Sequence, residues 1–392
     1  MKTLKRTWAD ISLDNLEYNY RSICAHLPQG TKFLGVMKAD AYGHGAVPVS
    51  RALADLGAEY LAVSNLEEAV QIRRGEVRLP ILILGYTPAE YAANMIFLDI
   101  TQEVHSLEYA RELNEALAGT NYILNVHLKL DTGMTRIGFF AYDDERTLDE
   151  LRQVAQLPHL HIEGVFMHFC VADSRAEADV SFTKLQYKRF MDMLSAMAGV
   201  GIRPEIRHCC NSGATILSPE FALDMVRPGI ITYGNAPSDE LEGALSLRPM
   251  MSLHSMIAQV RTVPAGTDIS YGRLYRTKEE TRVAVLPIGY ADGLSRLLTG
   301  KASFYLQGHQ VPVIGRICMD MCMIDVSGVP EAKPGDVVTI FGYDDDGTLL
   351  PCERLARAQG TINYELLCQI SKRIPRICHR GAETSQILQY IV

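Results

Sequence analysis

TKFLGVMKADAYGHGAV, residues Thr31–Val47, is the stretch on which the reading of this chain turns. A short apolar run, Phe33 to Met37, ends on Lys38, and a loop containing Tyr42, Gly43 and Gly45 follows at once. An apolar run of this length bounded by glycines reads as a strand buried on both faces. Lys38 then stands at the strand's carboxyl end, where α/β barrels carry their chemistry. Partial desolvation there would lower the amine's pKa and make it a better nucleophile. The plainer reading is a lysine whose stem lies along apolar surface while its ammonium reaches water.

Outward from this stretch the pattern repeats. Thr7 to Ile11 alternates like a strand, and Ser12 can cap a helix with Leu16, Tyr20, Ile23 and Leu27 on one face, stopped by Pro28. Further strands are expected near Tyr60–Val63, Ile81–Leu84, Phe97–Ile100, Tyr122–Leu130, Ile162–Phe166, Glu205–Cys209 and Leu223–Val226, with amphipathic helices between most of them. The longest helix, Arg175 to Met197, sets Phe182, Leu185, Phe190, Met193 and Leu194 at helical spacing. With Phe33–Met37 the strands number eight, the count of a (β/α)8 TIM-type barrel, and a doubly wound open sheet is the competing layout. After Tyr233 the polar, turn-rich Asn235 to Gly243 marks a boundary. Beyond it β-type runs dominate, at Met256–Val263, Thr281–Ile288, Val311–Ile314, Met321–Val326 and Asp336–Phe341, with a helix from Glu353 onward. The expectation is an α/β chain with an N-terminal barrel over residues 12–240 and a C-terminal mostly-β domain over 241–392.

Composition narrows the classes. At 392 residues two domains are expected, and 47% hydrophobic with 21% charged residues describes a soluble globular protein with ample core. A net charge of −8 argues against nucleic acid or an acidic membrane as partner, since both call for a basic face. No apolar run approaches the ~20 residues that span a bilayer, and Met1 to Asp10 lacks a signal-peptide core. Nine cysteines fit neither a disulfide framework nor a zinc site, so a reducing, cytoplasmic setting and no metal are expected.

Polar clusters fall at the strand ends. His127, Lys129, Asp131 and Arg136 close the fifth strand, His168 the sixth, and His208-Cys-Cys-Asn211-Ser212-Gly213 the seventh, where it opens a helix whose first amides can hold an anion. Arg227-Pro-Gly229-Ile230 closes the eighth, and loops after the last two strands of such barrels often build a phosphate site. Each cluster alone has a bland reading: a satisfied histidine at His168, a simple ion pair between Asp131 and Arg136. Four at successive strand ends point to one site. The second domain adds Ile269-Ser-Tyr271-Gly272, Pro287-Ile-Gly-Tyr290-Ala-Asp-Gly293, Arg316-Ile-Cys318-Met319-Asp320 and Thr361-Ile-Asn363-Tyr364-Glu365. A catalytic tyrosine must be partly ionised at neutral pH, and lowering its pKa from ~10 by about three units takes roughly 4 kcal/mol, which a cationic network such as Arg227 with His168 can supply.

VMKADAYGHG, KLDTGMTRIG, CNSGAT, VRPGI, ISYG, PIGYADG, CMD and TINYE, in this order over almost the whole chain, resemble the alanine racemases, two-domain enzymes dependent on pyridoxal 5'-phosphate (PLP). The resemblance implies that the N-terminal strand, residues 1–11, joins the C-terminal domain. It implies that Lys38 forms the Schiff base with PLP and serves as one base, with Tyr271 of a second subunit as the other. Tyr42, Ser212, Gly229, Ile230 and Tyr364 match the groups around the cofactor phosphate. Arg227 matches the arginine on the pyridine nitrogen, and His168 and His208 match a hydrogen-bond chain from the tyrosine to it. Arg136 and Met319 match the groups that hold the substrate carboxylate, Lys129 matches an often carbamylated lysine that holds Arg136, and Tyr290 and Asp320 lie in supporting motifs. Thr135, Pro228 and Gly213 depart from the usual loops without removing a named group.

The implied reaction interconverts L- and D-alanine by two-base proton transfer in a cytoplasmic homodimer with shared sites, an activity of D-alanine biosynthesis that feeds peptidoglycan precursors. One acid/base group on each face of a planar carbanion suits it. Arginine is no acid at ordinary pH, so the pyridine nitrogen beside Arg227 stays unprotonated and the carbanion brief. Serine racemisation, a PLP decarboxylase of similar plan and a non-catalytic PLP-binding barrel are the alternatives. Tyr364 favours alanine, since serine-racemising relatives carry a smaller polar residue there. CMD with TINYE argues against the decarboxylase, and the second domain with Tyr271 against the non-catalytic barrel.

Overall fold

The computed structural model describes residues 6–142 and 144–391. Residues 1–5 of the N-terminal segment lie outside the described residues. By backbone contacts the chain divides into two units, residues 16–41 with 46–248, and residues 6–15 with 42–45 and 249–391. Among the described residues no helix is long and apolar enough to cross a membrane.

Strand β1 (Thr7–Ser12) belongs to the second unit, where it runs antiparallel to Met251–Met256 and parallel to Arg376–Arg380. Its residues Trp8, Ala9 and Ile11 are buried, so both faces of the strand are covered. The Ser12 hydroxyl accepts from Asn15 N at 3.1 Å and starts the helix Leu13–His26.

The first unit is a ring of parallel strands: β2 (Lys32–Val36), β3 (Tyr60–Val63), β4 (Ile81–Ile83), β5 (Ile100–Val104) and β6 (Leu124–Asp131). A two-residue β7 (Phe139–Phe140) pairs with β6, and β8 (Leu160–Phe166), β9 (Ile206–His208) and β10 (Met225–Val226) complete the ring. The order is β10-β2-β3-β4-β5-β6-β8-β9, and backbone bonds from Asp224 N to Arg207 O (3.1 Å) and Arg227 N to Cys210 O (2.9 Å) join its two ends. A parallel sheet closed in this way is the eight-stranded barrel, and the open doubly wound layout is excluded. Its strands read as apolar runs because both faces are covered: Phe33 to Val36, Leu61 to Val63 and Ile81 to Ile83 are all buried.

One strand is displaced from its expected place. Ala92–Phe97 is helical, and the strand runs from Ile100 to Val104. Gln102 and Glu103 sit fully buried inside it, and their polarity hid it from an apolar-run reading.

The second unit carries a long mixed sheet. Its order is Gln259–Val263, Thr281–Leu286, Cys322–Asp325, His309–Ile314, Ser303–Leu306, Val337–Tyr343, Met251–Met256, β1, Arg376–Arg380 and Glu383–Leu388. The expected single strand over 256–263 is two, broken at Ile257 and Ala258, and Ser303–Leu306 and the closing hairpin were not expected. The helical stretch after Glu353 is a pair, Cys352–Gln359 and Asn363–Cys368.

Directly after Lys38 the backbone turns left-handed: Ala39, Asp40, Ala41 and Tyr42 have φ of 52°, 54°, 56° and 52°. Ala41 N donates to Met37 O at 2.8 Å, so these residues form one left-handed turn. L-residues pay about 1–2 kcal/mol each for that hand. The turn is held from outside itself, since Ala39 N donates to Glu68 Oε1 (2.7 Å) and Asp40 Oδ1 accepts from Ala46 N (2.8 Å). Ala39 is exposed, so its methyl contributes little packing. Ala39→Gly is therefore expected to raise stability by a few tenths to about 1 kcal/mol in urea unfolding, whereas the same change in a right-handed helix costs about 1. A loss of stability would contradict the left-handed turn.

Candidate active site

The barrel's strand ends carry nine of the residues singled out from the sequence: Lys38, Lys129, Arg136, His168, His208, Ser212, Arg227, Gly229 and Ile230. Lys38 stands two residues past the last residue of β2 and is exposed, so within this chain it lacks the desolvation that a strand-end position suggested. Arg227, at the end of β10, is a buried charge. It is 4% exposed, and Nη1 donates to His208 Nδ1 at 2.9 Å. Nη2 donates to the carbonyls of Met167 (2.7 Å) and Cys209 (3.0 Å) and to His168 Nδ1 (3.3 Å). Burial lowers its pKa to about 10, still far above neutrality, so the guanidinium keeps its charge.

Both histidines bonded to Arg227 are held neutral. Burial first, then the charge of Arg227, pushes His208 well below its usual value. His168 is pushed the same way by burial and by Arg227, Lys129, Arg136 and Lys38, in that order. Since Arg227 only donates, His168 Nδ1 must accept, and the proton of its neutral ring sits on Nε2.

Lys129, on β6, is 4% exposed, with Nζ 5.0 Å from the centre of the Phe166 ring and 3.4 Å from Leu130 O. Burial, reinforced by Arg227 and Arg136, lowers its pKa to about 7. Arg136 lies on the following loop and is exposed. The simple Asp131–Arg136 ion pair does not form, because Asp131 Oδ1 accepts from the amides of Gly133 (2.9 Å), Met134 (2.9 Å) and Thr135 (3.1 Å) and so shapes the loop instead. Ser212 opens the short helix Ser212–Leu217, capped by Asn211, and its hydroxyl accepts from Gly229 N at 2.9 Å. The loops after β9 and β10 are thereby tied to each other.

The second unit carries the other six. The rings of Tyr42 and Tyr364 pack in a tilted arrangement, 5.9 Å between centres, and burial raises the Tyr42 phenol. The loop with Tyr42 is pinned at Gly43, whose carbonyl accepts from Arg376 Nε at 2.9 Å. At φ +82° a side chain there would be strained, and a Cβ would meet Leu367 O at 2.5 Å. Tyr271 is 70% exposed and follows Ser270, whose hydroxyl donates to Arg316 O at 2.6 Å. Ile269 beneath it packs with Val283 and Ile314. Met319 and Tyr290 are exposed on adjoining loops, joined by Tyr290 N to Cys318 O (3.0 Å) and Ala291 N to Met319 O (3.0 Å). Asp320 pairs with Arg373 at 2.8 Å.

Sequence reading missed Glu163, which bonds His127, and Phe166, whose ring stacks on His208 at 4.9 Å. A carboxylate inside the apolar run Ile162–Phe166 was the available signal for the first. The barrel mouth is rich in donors and cations: two lysines, two arginines and two neutral imidazoles. That donor set suits an anionic group such as PLP, whose phosphate calls for donors and whose aldehyde calls for an amine.

Fold and site together define a barrel-plus-β protein whose barrel strand ends gather amines, guanidinium groups and imidazoles. The chain matches the family models described as alanine racemase, N-terminal domain, over residues 11–237, and alanine racemase, C-terminal domain, over residues 250–378. It is 46% identical to the alanine racemase of Desulfovibrio desulfuricans, over 94% of this chain and 97% of that one. Among solved structures it is similar to alanine racemase of Clostridium difficile 630, at a TM-score of 0.93 and 40% identity over 100% of both chains. It is also similar to that of Bacillus anthracis with bound L-Ala-P, at 0.93 and 34% over 100% of this chain and 99% of that one. The chain belongs to the alanine racemase family.

The buried amine sets a pH dependence. Lys129 titrates at about 7 in the folded chain, against about 10.4 for an unperturbed lysine. Between these values the unfolded chain holds a proton that the folded chain has shed, so this group makes stability rise with pH across the window. The stability of the unchanged chain relative to Lys129→Met should therefore grow as pH rises from about 7 toward 10 in urea unfolding. A flat or falling difference would contradict it.

Proposed function

We propose that the chain interconverts L-alanine and D-alanine as a cytoplasmic homodimer, with PLP joined to Lys38 and Tyr271 of the partner subunit as the second base. The observation that carries the reading is the buried Arg227, which keeps its charge while holding two neutral imidazoles at the mouth that also bears Lys38. When bound, PLP supplies the electron sink that takes the pair left behind as the α-proton departs. Arg227 would face its pyridine nitrogen, and Ser212, Gly229, Ile230, Tyr42 and Tyr364 would hold its phosphate.

Lys38 takes or returns the α-proton on one face, that of the D-isomer, and Tyr271 on the other. Arg227 donates hydrogen bonds without giving up a proton, so beside it the cofactor's ring nitrogen would remain an acceptor, and return of the α-proton would be favoured over side reactions. His168, bonded to Arg227 through Nδ1, keeps an Nε2 proton as donor for a phenolate. Arg136 and the Met319 amide would grip the substrate carboxylate, Lys129 would support Arg136, and Tyr290 and Asp320 would brace the Met319 loop. The exposure of both Lys38 and Tyr271 within one chain supports a site that a second copy completes.

The direct test is to follow the optical rotation of L-alanine and L-serine with PLP present. Alanine should racemise and serine should do so far more slowly, and Lys38→Ala should abolish both. Borohydride reduction and peptide mapping should place the pyridoxyl group on Lys38, and finding it on Lys129 would overturn the assignment.

The shared site has its own test. Lys38→Ala and Tyr271→Phe chains, inactive alone, are dissociated together and reassociated, with a tag to verify mixed dimers. In a mixed dimer one site receives both defects and the other neither. Random mixing makes about half the dimers mixed, so activity should return to about a quarter of the unchanged enzyme. Verified mixed dimers without activity would rule out the shared site.

A further inference from the structure

Arg227 is buried, and its hydrogen bonds run to two histidines and two carbonyls, none of them a carboxylate. A buried cation without a nearby anion is costly, so the question is where its counter-charge lies. The bonds lead inward through the barrel. His208 Nδ1 is 2.9 Å from Arg227 Nη1, and His208 Nε2 is 2.8 Å from His127 Nδ1. His127 Nε2 is 3.1 Å from Glu163 Oε2, on β8. Both imidazoles are fully buried, while the Glu163 side chain is 17% exposed. Tyr60 donates to Glu163 Oε1 at 2.7 Å and Thr101 to Oε2 at 3.2 Å. Against the upward push of burial, the bonds from His127 and Tyr60 hold the Glu163 carboxyl down at about 2, so it is ionised and accepts only.

The two ends fix every proton between them. An ionised carboxylate cannot donate, so His127 must carry its proton on Nε2. Burial keeps His127 neutral, which leaves Nδ1 a lone pair that accepts from His208 Nε2. His208, also neutral, then offers its own Nδ1 lone pair to Arg227, which can only donate. All three bonds point one way, from guanidinium to carboxylate. Room has been made for this arrangement: a Cβ on Gly164 would meet His127 Cε1 at 2.5 Å. Phe166 stacks on His208 within 9° and holds that ring in plane.

We propose that Glu163 is a positioning residue for Arg227, terminating through His127 and His208 a one-way relay of donors that fixes the guanidinium in the orientation the reaction uses. Its kinetic consequence rests on the racemase reading above, but the relay itself does not. Without an acceptor at Glu163, His127 could move its proton to Nδ1 and donate to His208. His208 would then hold its own proton on Nδ1, against Arg227, and the guanidinium would lose that bond.

The test uses the full-length chain with PLP, labelled with 15N-histidine, and reads each ring's protonation by NMR at neutral pH. Signals are assigned with chains lacking one histidine or the other. In the unchanged chain both His127 and His208 should be neutral with the proton on Nε2. Glu163→Gln should keep that pattern and the original kcat, because its amide oxygen can face His127 while Tyr60 rotates to accept from the amide nitrogen. Glu163→Leu should give mixed tautomers at both rings and lower kcat about tenfold with KM for alanine unchanged. A charged ring, or one protonated on Nδ1, in the unchanged or Glu163→Gln chain overturns the relay, and those two arms decide the matter if Glu163→Leu does not fold. A folded Glu163→Leu chain with unchanged spectra or unchanged kcat overturns the positioning role. If the unchanged chain does not racemise alanine, the racemase reading fails, and the ring spectra alone decide the relay.

Discussion

A guanidinium inside a β barrel has to be satisfied on every side, and the interior around Arg227 is arranged to do so. Two carbonyls left over beyond the ends of β8 and β9 accept from one nitrogen, and imidazoles rather than carboxylates take the rest. A carboxylate in direct contact would neutralise the site. Neutral imidazoles instead preserve the local positive potential while meeting the hydrogen-bond demand. Burial first, and then this same charge, keep His168 and His208 unprotonated and lower the Lys129 amine, so several residues share one buried charge as a common influence.

What could be read in the sequence was what depends on local pattern. Phe33–Met37 followed by Lys38 announced a buried strand ending on an amine, because a two-face-covered strand leaves an unbroken apolar run. The clusters at Arg136, His168, His208 and Arg227 announced strand ends, because polar groups in quantity have no place between buried layers. The motif order carried the family resemblance, which the matches over residues 11–237 and 250–378 bear out.

What stayed hidden depends on partners distant in the chain. Glu163 meets His127 across 36 positions, and it does so only because β6 pairs with β8 and sets His127 opposite Gly164, the residue next to Glu163. Gln102 and Glu103 disguised β5, since two polar residues broke its apolar run, and the partner of Gln102, Gly85 O, lies 17 positions away. The left-handed turn after Lys38 contains Ala39, Asp40, Ala41 and Tyr42, with no glycine to announce it. Its hand is imposed by Glu68, by the Ala46 amide that Asp40 accepts from, and by Met37 O, not by propensity. In the second unit the break at Ile257 and Ala258 lacks any turn residue, so one apolar run read as one strand.

That turn also marks a place where the chain changes allegiance. Residues 42–45 belong with the β-rich unit although both flanks, 16–41 and 46–248, belong to the barrel. The polypeptide therefore passes between units at Asn15–Leu16, Ala41–Tyr42, Gly45–Ala46 and Arg248–Pro249. No single cut yields either unit whole. A fragment ending at Arg248 keeps β1 without its strand neighbours Met251–Met256 and Arg376–Arg380, and a fragment starting at Pro249 lacks β1 from the middle of its sheet. Such a chain has no clean seam: grafting either unit onto another protein would mean splicing a four-residue loop in the middle of a motif.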